Sequence, residues 1–225
     1  MIPTTSSIHI ILSGSKIIPW GDVHVGTAFM RGNSSFHQNI YLEDSVLTLK
    51  ATRNFSEAYN RTFNYFSGAV HAKQLLEVTE QYPSYTMCGD FLAPMIPGAW
   101  PAFWITATSW PPEVDILEFK GDNNDNFNIY IDKNTPTYWD QIRIHSSDDW
   151  NTYCLYMKRV NNTDVNNTDV DITFSLNNNI SITHTATDYV GKQFWVIINL
   201  EMEGSSGPSG PLNDTYYYAR NVYVT

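Results

Sequence analysis

Short runs of β-branched and aromatic residues recur along the chain, at 27–30, 45–52, 68–73, 85–93, 102–107, 113–119, 127–132, 151–160, 170–176, 194–202 and 216–225. Between them gather Gly, Pro, Asn, Asp and Ser, whose backbone preferences make turns. In 170–176, Val170, Ile172, Phe174 and Leu176 alternate with Asp171, Thr173 and Ser175, the period-two pattern of a strand with one face in a core and one in solvent. Helical periodicity is scarce; 77–81 has room for a turn or two of helix. Eleven strands without intervening helices predict an all-β jelly-roll sandwich of two antiparallel sheets.

At 225 residues the chain suits a single sandwich domain spanning 1–225. Charged residues are 16% and aromatics 14%, too little charge and too much ring for a disordered chain. The net charge of −10, with no basic run, leaves no cationic surface for nucleic acid or anionic membranes. The longest aliphatic stretches, 10–12 and 196–198, fall far short of the roughly 20 residues that span a bilayer. Stretches 161–169 and 204–211 read as surface loops.

Seven Asn-x-Ser/Thr sequons begin at Asn33, Asn54, Asn60, Asn161, Asn166, Asn179 and Asn213, which predicts a secreted glycoprotein. A charged segment followed by an apolar stretch is absent from the N-terminus, so any signal peptide is expected to have been removed or replaced by Met1. Cys88 and Cys154 allow either one disulfide or two buried thiols on neighbouring strands.

The segment richest in chemistry is Glu113-Val-Asp-Ile-Leu-Glu118. On a regular strand Glu113 and Asp115 share a face, and Leu117 rather than Glu118 would join them. A β-bulge at Ile116–Leu117 corrects the count and sets all three carboxylates on one face. Glu113 and Glu118 then lie about four strand positions, roughly 13 Å of backbone, apart. Two inclined glutamates over that span can approach the roughly 5–5.5 Å that a retaining glycosidase needs between nucleophile and acid/base. Carboxylates so close cannot all ionise easily, and one is expected to hold a proton. A solvated acidic face is the plainer alternative, but such a face seldom has tryptophan-rich flanks.

Those flanks are Gly98-Ala-Trp-Pro-Ala-Phe-Trp104 and Trp110-Pro. Together with Glu113-x-Asp-x-x-Glu118 they resemble glycoside hydrolase family 16, in its laminarinase, agarase and carrageenase branch; the lichenase branch lacks the extra residue. Gly68-Ala-Val-His-Ala-Lys73, Asn199-Leu200 and Asn221-Val-Tyr-Val224 resemble other strands of the family more loosely. The resemblance implies a concanavalin A-like sandwich, Glu113 as nucleophile, Glu118 as acid/base and Asp115 as the residue that tunes the nucleophile. Two positions depart from the family pattern. Where it often has a His after the catalytic strand, this chain offers Asn128, Tyr130 and Asp132. Where it commonly has Gly-x-Phe-Glu-x-Arg, 88–94 lacks the Glu and the Arg.

Trp104 and Trp110 match family positions that floor the subsites on the non-reducing side, and with Tyr130 and Trp139 they are the expected sugar contacts. Trp100 is expected to pack in the core. Trp139 and Tyr138 read as a polar loop, at the cleft edge or on the surface.

Other chemistries fail on spacing. In 122–133, Phe127 stands where an EF-hand needs Gly and Lys133 where it needs Glu. No His pair has zinc spacing and no Gly-x-Ser-x-Gly occurs. Neither metal nor cofactor is expected. Gln141, Arg143 and His145 on one strand face keep a polysaccharide lyase acting on a uronic polymer as an alternative, and an inactive lectin-like sandwich is another, though binding alone has no use for three carboxylates. The expected function is a monomeric, retaining endo-β-glycosidase. With only Lys120 and Lys133 as cations in 89–139, its polysaccharide substrate is expected to be neutral, a β-1,3-linked glucan or a galactan.

Overall fold

The computed structural model describes residues 19, 21–31, 38–58, 60–132, 135–161 and 167–225. The sequons at Asn33 and Asn166, residue Lys133, the N-terminus and most of the 161–169 loop lie outside the described residues.

Sixteen strands are described: β1 Ala28–Met30, β2 Ile40–Glu43, β3 Val46–Ala58, β4 Arg61–Ser67, β5 Ala69–His71, β6 Leu76–Glu77, β7 Ser84–Leu92, β8 Ala99–Ala107, β9 Glu113–Glu118, β10 Asn124–Tyr130, β11 Tyr138–Arg143, β12 Asn151–Arg159, β13 Val170–Leu176, β14 Ile180–Ala186, β15 Gln193–Met202 and β16 Thr215–Val224. One sheet runs β1-β4-β3-β16-β7-β12-β13-β14, with β2 beside β3; the other runs β11-β10-β9-β8-β15-β5, with β6 beside β15. Strand neighbours are antiparallel except β1 and β4, which pair in parallel. The expected two-sheet sandwich is therefore what the chain forms. In place of the helical turn expected at 77–81, β6 is followed by bends; Glu77 is spent on the edge of β15, where it pairs with Gln193.

Side chains alternating inward from both sheets make the core. Phe103 of β8 packs on Phe91 of β7 with ring centroids 4.8 Å apart, and Phe127 of β10 stacks on Phe174 of β13 at 4.9 Å. Burying such rings is the main stabilising contribution, about 1.5–3 kcal/mol each. Cys88 and Cys154 lie opposite each other on β7 and β12 and form a disulfide. At a sequence separation of 66, the chain-entropy account gives it about 4 kcal/mol of stabilisation.

Candidate active site

Strand β9 pairs with β8 as Glu113–Thr106, Val114–Ile105 and Asp115–Trp104, then resumes as Leu117–Phe103 and Glu118–Ala102. Ile116 is left over, so the expected bulge is present, and the apolar Val114, Ile116 and Leu117 are all fully buried. Glu113, Asp115 and Glu118 line one cavity of 590 Å³ on the face of β8, β9 and β15 away from the other sheet.

The backbone at Glu118 is held from two sides. Its N–H donates to Asp125 Oδ1 at 2.8 Å, and its carbonyl accepts from Asn126 Nδ2 at 2.9 Å. Asp125 belongs to the stretch that failed the calcium-loop test; it is fully buried, and burial pushes its carboxyl well above the usual range. At the other end, the Tyr189 hydroxyl lies 3.1 Å from the Glu113 carbonyl and 2.8 Å from that of Tyr130.

Three donors converge on the Glu118 carboxyl. Trp100 Nε1 donates to Oε1 at 2.8 Å, Asn128 Nδ2 to Oε2 at 2.8 Å, and Lys120 Nζ sits 2.9 Å from Oε2. Asn128 Nδ2 also donates to Asp115 Oδ2 at 2.8 Å, tying the middle of the row to its end. The Glu113 carboxyl is pushed up to about 7, chiefly by burial and next by the charge of Glu118, against hydrogen bonds from Thr106 and Trp110 and the charge of Lys120. Asp115 is raised well above the carboxylate range by burial, then by Glu118 and Glu113. The row thus holds at least one proton at neutral pH, as like charges in a poorly solvated site require.

Of the expected sugar contacts, Trp104, Trp110 and Tyr130 line the cavity. Trp104 is anchored through Nε1 to Asn199 Oδ1 at 2.7 Å, and Trp110 stands beside Tyr130 at 6.3 Å between ring centroids. Trp139 does not line it. It belongs to strand β11 rather than a loop, opposite Asn128, with its indole donating to Asn126 Oδ1 at 3.0 Å and 61% of it exposed. Gln141 and Arg143 are exposed on β11 and His145 lies beyond its end, all outside the cavity, so the lyase arrangement is not assembled.

Trp100 corrects the sequence reading. Its pairing with β15 is regular from Ala99 to Ala107, so Trp100, Ala102, Trp104 and Thr106 share the cavity face. The two-residue period runs unbroken through Pro101, and that signal was available in the sequence. His24, Asn199 and Glu201 line the cavity and were not among the expected site residues; Lys120, noted only as a cation of this region, lines it too, and Asn128, noted at the position of the family's His, donates to Glu118. Among the described residues, no cluster of three or more His, Cys, Asp or Glu is arranged to hold a metal ion.

No protein-family model matches the chain. A galactan endo-β-1,3-galactanase from Flammulina velutipes is 38% identical over 238 aligned positions, covering 100% of this chain and 89% of the relative. Among solved structures, an endo-1,3-β-glucanase from Streptomyces sioyaensis superposes with a TM-score of 0.69 at 19% identity, over 94% of this chain and 87% of its own. SCLam, a non-specific endo-β-1,3(4)-glucanase from family GH16, superposes at 0.66 with 15% identity, over 89% and 81%.

Proposed function

The chain belongs to glycoside hydrolase family 16, and from that premise we propose that it is a retaining endo-β-1,3-galactanase whose nucleophile is Glu113 and whose acid/base is Glu118. The observation that carries the reading is the row of three carboxylates on the bulged strand, inside a tryptophan-lined cavity. A galactan is favoured over a glucan because the 38% identical relative is named a galactanase, while the glucanases share only the fold. An acidic cavity also suits a neutral polymer better than a uronic one.

In the proposed reaction, Glu113 attacks the anomeric carbon while Glu118 gives its proton to the departing glycosidic oxygen; water, deprotonated by Glu118, then releases the sugar from Glu113. Attack requires Glu113 ionised, yet in the resting row it competes for a proton. The proton therefore passes along the row toward Glu118 as substrate enters, and Lys120 gives up its contact with Glu118. Asp115 and Glu118 share the Asn128 amide as a common donor, which holds the two carboxyls in place while the proton moves between them and Glu113.

We read the chain as one catalytic domain acting as a secreted monomer. Supporting this, the disulfide suits an oxidising compartment. Asn54, Asn60, Asn161, Asn179 and Asn213 are exposed. No described helix is long and apolar enough to cross a membrane.

The test is reducing-end release from β-1,3-galactan, laminarin, agarose and a glucuronan, with the anomer of the first product followed by NMR. Cleavage of the galactan with retention supports the reading. Cleavage of laminarin alone would move the substrate to glucan, inversion would remove Glu113 as nucleophile, and no cleavage of any polymer would overturn it.

A further inference from the structure

The N-terminal segment 21–31 comes from far outside the catalytic strands, yet it closes one side of the cavity. Strand β1 enters the larger sheet parallel to β4, and the residues before it bring His24 and Val25 into the cavity wall. The segment is fastened closely. Arg61 donates from Nη1 to the His24 carbonyl at 2.9 Å and from Nη2 to that of Gly26 at 2.6 Å. Thr27 N–H donates to the Met202 carbonyl at 2.8 Å, and its hydroxyl to Glu203 Oε2 at 2.7 Å. Ala28 N–H donates to Glu201 Oε1 at 2.9 Å. At Gly26 a Cβ would fall 2.3 Å from the Met202 carbonyl oxygen and 2.5 Å from Glu201 Oε1, so only glycine allows this approach.

Glu201 faces the cavity side of β15 opposite Trp100 and is 1% exposed. Its Oε1 accepts from both Ala28 and Met202, while Oε2 has no hydrogen-bond partner. A buried carboxyl with one unpaired oxygen is costly. What it does here is lock the segment bearing His24 to the strand bearing Asn199. The His24 ring stands 5.5 Å from that of Trp104, tilted by 46°, in the same cavity as the three acids.

We propose that His24 is a substrate-contacting residue that sets the sugar specificity of the cleft, and that Glu201 and Arg61 are positioning residues that hold it beside Trp104. The proposal rests on the glycosidase reading above and names the feature recognised: a ring hydroxyl of the sugar packed on Trp104. Burial, and secondarily Arg61, lower the imidazole to about 4, so it stays neutral through the ordinary pH range of a glycosidase. A neutral imidazole has one N–H donor and one acceptor nitrogen, and a single ring nitrogen facing the cleft is enough to hydrogen-bond a sugar hydroxyl. Galactose and glucose differ only in the direction of one hydroxyl. A site that hydrogen-bonds a hydroxyl discriminates strongly against an analogue that cannot present it.

The experiment measures kcat and KM on soluble β-1,3-galactan and on laminarin for the wild type, His24→Ala, His24→Gln, Glu201→Ala and Glu201→Gln, with folding checked by circular dichroism. His24→Ala is expected to raise KM on the preferred polymer about tenfold, the effect of one lost hydrogen bond, with kcat changed less than threefold. The ratio of kcat/KM between the two polymers should fall by a similar factor. His24→Gln, which keeps a donor and an acceptor, should recover part of the loss. Glu201→Ala should reproduce the KM effect, and Glu201→Gln should not. A polymer ratio within twofold of wild type in both His24 variants would overturn the proposal while leaving the catalytic reading intact. A wild type inactive on both polymers would bring down the catalytic reading and this one together.

Discussion

The Lys120 ammonium sits 2.9 Å from Glu118 Oε2, a close ion pair, and 5.8 Å from the centre of the Trp100 ring. Its charge also reaches Glu113 and Asp115 and favours their ionised forms. Lys120→Met removes that support, so the Glu113 carboxyl moves further up. In the proposed mechanism Glu113 attacks as the carboxylate, so the acidic limb of the kcat/KM profile should shift to higher pH in this variant and stay in place in Lys120→Arg. An unmoved limb in Lys120→Met would show that the ammonium is electrostatically silent toward the nucleophile.

Glu113 and Glu118 are separable by leaving group. Without the nucleophile no glycosyl-enzyme forms, whereas loss of the acid matters least when the leaving group departs unaided. Glu113→Ser should be inactive on all glycosides, and Glu118→Ala should retain activity on an activated aryl glycoside while losing roughly 10²–10⁴-fold on polymer. The opposite pattern in steady-state assays would reverse the two roles.

Asp115 is buried, and burial with the charges of Glu118 and Glu113 drives its carboxyl well above the usual range, which favours its protonated form. The resemblance makes Asp115 the residue that tunes the nucleophile, and in the proposed mechanism it does so by holding a proton between the two glutamates. Asp115→Asn imitates the neutral acid in shape but can neither accept nor release the proton. We expect kcat to fall roughly 10²-fold with KM within twofold, measured on the preferred polymer. Unchanged kcat would reduce Asp115 to a structural part.

Glu201 bears on stability as well as on the cleft wall. Burial raises its carboxyl from 4.5 to about 7, against the N–H groups of Met202 and Ala28. A raised folded value means that the protonated form is favoured by folding, so stability is fully present below about 4.5 and is lost as pH climbs through 7. The shift corresponds to about 3 kcal/mol at most. Glu201→Gln, uncharged throughout, should match wild type in thermal unfolding at pH 4.5 and exceed it at pH 8. Parallel pH curves for the two proteins would refute this.

Strand β9 was legible because three acids and three apolar residues in six positions admit only one two-faced arrangement, the one with a bulge. Strand β8 was legible too, and Trp100 was misread as a core residue although its regular pairing puts it on the same face as Trp104. Strands β2, β4, β6, β11 and β14 escaped notice. In β11 and β14 half-buried positions alternate with exposed ones, and Ile180 and Ile182 of β14 carried a weak signal that a polar setting obscured. His24 and Glu201 were illegible for another reason. Alternation tells which face a side chain takes but not which distant segment will lie against it, and the parallel entry of β1 has no local signature.

The leftover Ile116 also bears on how related chains are compared. Along β9 five steps of sequence cover four steps of sheet, so residue counting and distance disagree by one. Deleting a residue from most core strands would turn every later side chain to the wrong face. Here it would bring Glu118 to an even offset from Glu113, keep the carboxylate row, and forfeit one buried aliphatic side chain. An alignment gap at this position therefore costs packing rather than mechanism, and gap penalties applied uniformly along the strand would separate chains that share the same chemistry.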